Sequence, residues 1–298
     1  MKTGILTFFL LISFANQAWG QLLLKPDQVF DGTEMHSGWV VLVEGELITY
    51  AGPASGIRTP RGTENRDLPG MTLMPGLIEG HSHLLLHPYN ETVWNDQVLK
   101  ESPVERSLRG ANHAQASLMA GVTTMRDLGS EGAGYADVYL KQSIDKGIIP
   151  GPRLLVAGPA IVATGAYGPK GFHDGVSVPL GAEPTSGITG VIETTRRQLG
   201  NGADFIKVYA DYRWQTGAPS QPTFLQQELE AMVATATSAG SYVVAHASTP
   251  EGMKRATLAG VETIEHGDGG TLEVFRLMKE KGVVFYPTLA AGDAIERY

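Results

Sequence analysis

The sequence predicts an α/β chain built on a (β/α)8 TIM-type barrel, with seven of the eight strands present and a small β-sheet subdomain in front of it. Three observations point to this class. From Leu73 onward, seven short apolar runs recur, each followed by a stretch with helical spacing. The runs do not alternate cleanly between apolar and polar residues, which suits parallel strands covered on both faces. A doubly wound sheet is the rival, but it calls for a phosphate-binding glycine fingerprint after its first strand, and none stands there. A barrel of this kind takes about 250 residues, and the chain has 298.

Residues 1–20, "MKTGILTFFLLISFANQAWG", read as a secretory signal. Lys2 supplies the positive end, Ile5 to Phe14 the apolar stretch, and Ala18-Trp19-Gly20 a small-x-small cleavage site. About ten apolar residues are too few for a membrane span, which needs roughly twenty. No stable membrane anchor is expected, and the mature chain is expected to be exported, periplasmic or extracellular, after cleavage near Gly20. Residues 21–70 contain "WVVLVEG" and "ELITYAG", β-like runs punctuated by glycine, and form the small sheet subdomain.

Residues 71–298 carry the barrel. Its strand candidates are "LMPGLIEGHSH", "GVTTMRDLG", "PRLLVAG", "DFIKVYA", "YVVAHAS", "ETIEHGD" and "VVFYPTL". Between them, Val104, Leu108, Ala111 and Leu118 share one helical face, as do Ile188, Val191, Ile192 and Leu199. Leu225, Leu229, Met232, Val233 and Ala236 form a third stripe, with Thr223 and Gln226 spaced as a capping box. Thr249-Pro250 and Thr271 are expected to start two more helices. After "VVFYPTLAAGDAIERY" the sequence stops inside the seventh helix, so the barrel is expected to be incomplete at its C-terminus and the chain a fragment of a longer enzyme.

Composition narrows the chemistry. Charged residues are 18% and hydrophobic ones 42%, a globular enzyme-like balance. The net charge of −8 is spread along the chain, with no basic run longer than Arg196-Arg197, which argues against a nucleic-acid partner. Zero cysteines exclude disulfides, thiolate metal sites and a cysteine nucleophile. Any metal must be held by histidine, carboxylate or a modified side chain.

Active-site groups of such barrels project from the C-terminal ends of the strands. His81 and His83 end strand one and, two apart in an extended segment, point to one side. Histidines one residue apart arise by chance in many proteins, so partners decide the matter. Lys207 lies in strand four, His246 ends strand five and His266 ends strand six. Five candidate ligands thus fall at one end of the barrel on four strands, and the set reads as metal-binding. Imidazole nitrogens with oxygen ligands suit Zn²⁺ or a similar divalent ion.

The other polar residues carry less weight. His36 and His113 are expected at the surface, and His87 in loop packing. Tyr167 and His173, on the long loop after strand three, are candidates for shaping a substrate pocket. Tyr209, Tyr212 and Arg213 are candidates for holding a substrate carboxylate, which an arginine fork matches; aromatic packing at the rim is the alternative. Asp127 is expected to order the loop after strand two. Asp268 stands on the wrong strand for a missing eighth-strand ligand.

The motifs "PGLIEGHSH", "AGVTTMRDLG", "GADFIKVYA", "VVAHAS" and "TIEHGD", in this order and spacing, resemble the amidohydrolase superfamily, in its imidazolonepropionase-like and Xaa-Pro dipeptidase-like branch. The resemblance covers essentially everything after residue 20. It implies that residues 21–70 are the N-terminal part of a β-sandwich. It implies two divalent metal ions: His81 and His83 hold one with a strand-eight aspartate, His246 and His266 hold the other, and Lys207, carboxylated by CO2, bridges them. A lysine carbamate is an anionic bidentate ligand, whereas a free ammonium would repel the metals. The implied reaction is hydrolysis of a C–N bond, in an amide, peptide or cyclic amide of a small substrate such as a dipeptide. A metal-bridging hydroxide attacks and the strand-eight aspartate relays the proton. The sequence ends before that aspartate, so the chain by itself is expected to lack normal activity. Two rivals stand beside this reading. One is a mononuclear deaminase or cyclic-imide hydrolase on the same barrel, against which Lys207 counts. The other is a non-catalytic metal-binding protein.

Overall fold

The computed structural model describes residues 20–88 and 90–297; the predicted signal stretch lies outside them up to residue 19. Two compact units divide between Pro75 and Gly76. In the first, β1 (Gln21–Phe30) pairs antiparallel with β2 (Met35–Ser37) and β3 (Trp39–Glu44), and β3 continues into β4 (Leu47–Pro53). Leu23, Val40 and Leu42 form its core with Tyr50 and Ile57 against them. A further strand, β5 (Glu64–Leu73), runs parallel to β1. Its charged opening, "ENRD", gives it no apolar signal in the sequence.

The second unit is an α/β array, and all seven predicted runs form strands. Strands β6 (Leu77–Ser82), β7 (Val122–Asp127) and β8 (Arg153–Val156) lie side by side and parallel. Next come two short parallel strands, β9 (Ile161–Ala163) and β10 (Glu183–Thr185). Strands β11 (Ile206–Tyr209), β14 (Val243–Ala247), β15 (Thr263–His266) and β16 (Val284–Tyr286) continue the parallel array in chain order. A hairpin of β12 (Asp211–Arg213) and β13 (Ser220–Pro222) follows β11. The Asp204 amide donates to the Val156 carbonyl at 2.8 Å, and its carboxylate accepts from the Val156 amide at 2.8 Å, tying the entry of β11 to β8.

The helices are α1 (Trp94–Lys100), α2 (Pro103–Met119), α3 (Ala136–Asp145), α4 (Gly187–Gly200), α5 (Gln226–Ser238), α6 (Pro250–Ala259), α7 (Leu272–Lys281) and α8 (Leu289–Arg297). Strand periodicity decides which residues meet them. Ile206 and Val208 pack with Val191, Leu229, Met232 and Met253 of the helices, as do Val243 and Ala245. Lys207 and Tyr209 therefore point the other way. Burying one such Leu or Met side chain stabilises the fold by about 1.5–3 kcal/mol, so the helical face holds the strands in register and the opposite face is left for polar groups.

Helix starts follow local chemistry. Thr249 and Thr271 cap α6 and α7 as predicted, accepting from the amides of Gly252 and Val274. For α5 the predicted box is displaced. Leu225 is the N-cap residue and Glu228 accepts its amide at 2.8 Å, while the Thr223 hydroxyl donates to the Tyr209 carbonyl instead. On α2 the expected apolar face is not the buried one. Val104 and Leu108 are exposed, and Arg106, Gly110 and Ala114 face inward. On α4, Ile188 is likewise exposed, and Val191 is joined in the interior by Thr194, Thr195 and Gln198.

Candidate metal centre

A cavity of about 990 Å³ opens at the C-terminal ends of the parallel strands, and His81, His83, His246 and His266 all line it. Their rings form a connected set. The centroids of His81 and His83 are 5.4 Å apart, those of His81 and His266 4.9 Å, and those of His246 and His266 4.7 Å. Burial depresses the pKa of every one of them, His266 to about 3, so the rings are neutral at neutral pH.

Each ring has an acceptor or carboxylate behind one nitrogen. His81 donates from Nδ1 to Glu265 Oε2 at 2.8 Å, and His83 from Nδ1 to the Gly129 carbonyl at 3.0 Å. These partners can only accept, so Nδ1 carries the proton and the lone pair sits on Nε2. Nδ1 of His266 lies 2.7 Å from the Thr288 hydroxyl. His246 presents Nε2 to the Asp211 carboxylate at 3.6 Å, an electrostatic neighbour rather than a hydrogen bond. Imidazoles oriented from behind in this way are the usual surroundings of a metal ligand.

Lys207, on β11, is 1% exposed, with its Nζ 5.6 Å from the centre of the Tyr209 ring. Burial lowers its pKa to about 8. Among the described residues no carboxylate stands within ion-pair distance of it, and no three His, Asp or Glu side chains close into a ready-made ion cage. The donor set nonetheless fits divalent cations: four neutral imidazoles and an amine that becomes an oxygen ligand on carboxylation.

The remaining candidates divide. Tyr167, Tyr209, Tyr212 and Arg213 line the cavity. His173 is not brought there: it is exposed, and its ring accepts from the Gly175 amide at 3.1 Å. Tyr167 packs on Trp94, Tyr209 and Tyr212, a continuous aromatic wall. His87 also lines the cavity but is held by Glu91 and Glu101 at 3.2 and 2.8 Å. His113, expected at the surface, is half-buried, reaches the Leu84 carbonyl at 2.9 Å and lines the cavity. Asp127 accepts from the Leu84 amide at 2.9 Å and orders the loop after β7.

Two cavity features were missed in the sequence. Glu131, 3% exposed, receives Trp94 Nε1 and the Tyr167 hydroxyl at 2.9 Å each, and the Tyr209 hydroxyl at 3.3 Å. Its only sequence signal is a carboxylate among small residues in "LGSEGAG". The second feature is backbone strain. Among the described residues three non-glycines have positive φ, Glu131 at 48°, His266 at 77° and Thr288 at 47°, and all three line the cavity. Such conformations cluster at functional sites.

The Amidohydrolase family profile matches residues 72–297. The chain is 29% identical over 282 residues to ochratoxinase of Aspergillus niger, covering 87% of this chain and 56% of that protein. It is 27% identical over 238 residues to an uncharacterized Mycobacterium tuberculosis protein, covering 77% of this chain and 55% of the other. Thus it spans just over half the length of the curated relatives it matches. Among solved structures, an amidohydrolase superposes with a TM-score of 0.79 at 30% identity, over 93% of this chain and 69% of the other. A Xaa-Pro dipeptidase with bound methionine in its active site superposes at 0.78 and 28% identity, over 92% and 68%. These relatives give the second unit an α/β fold of the TIM-barrel type.

Proposed function

The chain belongs to the amidohydrolase family, and from that premise we propose that its cavity is a binuclear metal centre for hydrolysing the amide bond of a small carboxylated substrate, a dipeptide or an N-acyl amino acid. The observation that carries the reading is the set of four neutral histidines, three of them hydrogen-bonded from behind, gathered with a buried lysine around one cavity. His81 and His83 would hold one divalent cation, His246 and His266 the other, and Lys207 both. Cations bound there would supply hydroxide near neutral pH and polarise the scissile carbonyl.

The chain's own residues do the rest. With its pKa held near 8, the Lys207 amine is partly neutral at physiological pH and can attack CO2. A nitrogen–carbon bond forms and the neutral amine gives up one proton to become an anionic carbamate; starting from the buried ammonium, two protons leave in all. The wall of Trp94, Tyr167 and Tyr212 offers a flat apolar surface for a ring-bearing substrate. Arg213, exposed and lining the cavity, would meet a substrate carboxylate with its two-pronged guanidinium. The named relatives, an ochratoxinase and a Xaa-Pro dipeptidase, support an amide substrate. The eighth strand with its proton-relaying aspartate, the β-sandwich and export remain part of the proposal for the whole protein.

The test is metal content and turnover together. The chain is loaded with Zn²⁺ or Mn²⁺ in bicarbonate buffer and assayed on Xaa-Pro dipeptides and N-acyl amino acids. Two metals per chain with turnover abolished in K207A supports the reading. Two metals with no turnover supports the centre and leaves the reaction to be assayed on a chain that carries the eighth-strand aspartate, and no metal uptake removes the centre altogether.

A further inference from the structure

The four histidines differ in what stands behind them. His83 leans on a carbonyl, His266 on a hydroxyl, and His246 faces the Asp211 carboxylate at 3.6 Å without a hydrogen bond, whereas His81 is hydrogen-bonded to a buried carboxylate that has its own cation. Glu265, on β15 and fully buried, places Oε2 2.8 Å from His81 Nδ1 and takes Nη2 of Arg126 on Oε1 at 2.9 Å. The Thr263 hydroxyl donates to the same Oε1. Arg126, on β7 and 8% exposed, also donates Nε to the Gly80 carbonyl at 2.7 Å, next to His81 in the chain. Its guanidinium lies over the Tyr286 ring at 4.5 Å. Four strands thus converge on one imidazole.

A buried ion pair of this kind is weak as a source of stability, since apolar residues of similar volume often do as well. Its geometry is better matched to a task. We propose that Glu265 is a positioning residue for metal uptake: it holds His81 in the tautomer whose lone pair is on Nε2, with Arg126 fixing the carboxylate in place. The inference rests on the metal-centre reading above. It names two residues that touch neither substrate nor metal in that reading.

The Glu265→Gln variant separates positioning from packing. Arg126 can only donate, so the glutamine turns its oxygen to Arg126 and its NH2 to His81. His81 must then accept at Nδ1 and carry its proton on Nε2, the nitrogen a metal needs. The expected result is a loss of about ten- to a hundred-fold in Zn²⁺ affinity, measured by chelator competition on the full chain, with an unchanged circular dichroism spectrum. In ¹⁵N-histidine NMR of the metal-free chains, the His81 signal, assigned by its loss in H81N, should move from an Nδ1-protonated to an Nε2-protonated pattern. Wild-type affinity in E265Q overturns the inference while leaving the metal centre standing. A wild-type chain that takes up no metal overturns both. Should E265Q fail to fold, the wild-type spectrum alone decides, because an Nε2-protonated His81 there overturns the inference.

Discussion

The Arg106 guanidinium donates to the main-chain carbonyl of Glu131 at 2.7 Å, so a buried cation on α2 holds the segment that carries the Glu131 carboxylate into the cavity. Its other nitrogens donate to the carbonyls of Ser130 and Leu85 at 3.0 and 3.1 Å. Removing the side chain leaves three carbonyls without that donor, and charge-assisted bonds of this type contribute about 1.5–3 kcal/mol each. Arg106→Met is therefore expected to lose about 3–5 kcal/mol of stability in urea unfolding, a loss typical of a broken buried network. An exposed-site loss of under about 0.5 kcal/mol would refute the role.

Lys207 sets a pH dependence with a defined sign. Its folded pKa is lowered from 10.5 to about 8. Between those values the unfolded chain binds more protons than the folded one, so the metal-free protein should gain stability as pH rises from about 8 to 10.5. The gain is on the order of 3 kcal/mol. Urea titrations of wild type and Lys207→Met across that range measure it; an equal slope in the variant would count against a buried ammonium.

The same amine governs loading. Only neutral amine takes CO2, so bicarbonate-dependent metal uptake should climb from pH 7 to about 9 and vanish in Lys207→Ala. Uptake indifferent to bicarbonate would point to a centre without a carbamate.

Metal bound to the folded chain alone must raise its melting temperature. At a hundred times Kd the expected stabilisation is about 2.7 kcal/mol. The shift should be lost with a chelator and reduced in His246→Ala or His266→Ala. Equal shifts in both variants and wild type would place the ion elsewhere.

Gly252, in the first turn of α6, packs directly on the carboxylate that faces His246. A Cβ there would lie 2.2 Å from Asp211 Oδ2. That oxygen accepts from the Thr249 amide and hydroxyl at 2.7 Å each. Gly252→Ala should cost about 1–3 kcal/mol or more and weaken metal binding together, whereas Gly187→Ala, with nothing near its Cβ, should leave metal binding alone.

What could be read in the sequence follows from which signals are local. Strand runs such as "DFIKVYA" and the histidines that end them depend on neighbours in sequence, and they fall where expected. Positions decided by contacts between distant segments did not stand out. Val104 and Leu108 look like a core face because they are apolar, yet α2 turns Arg106 inward to reach carbonyls 21 to 25 residues away. Glu265 and Arg126 were both visible as charges inside apolar strands, a pattern that demands a buried partner. Nothing in either strand alone says that the partners are each other, 139 residues apart. His173 drew notice for its type, but its loop leaves it exposed.

The left-handed backbone at Glu131, His266 and Thr288 has a consequence for how such a protein changes over generations. Each conformation costs of order 1–3 kcal/mol, so replacement by glycine at any of the three relieves strain while removing a cavity group. Against that relief stand the bonds these side chains make, three hydrogen bonds to Glu131 and the contact of His266 with Thr288. A lineage could exchange strain for sturdiness here only by giving up groups that line the centre, the common bargain between durability and activity.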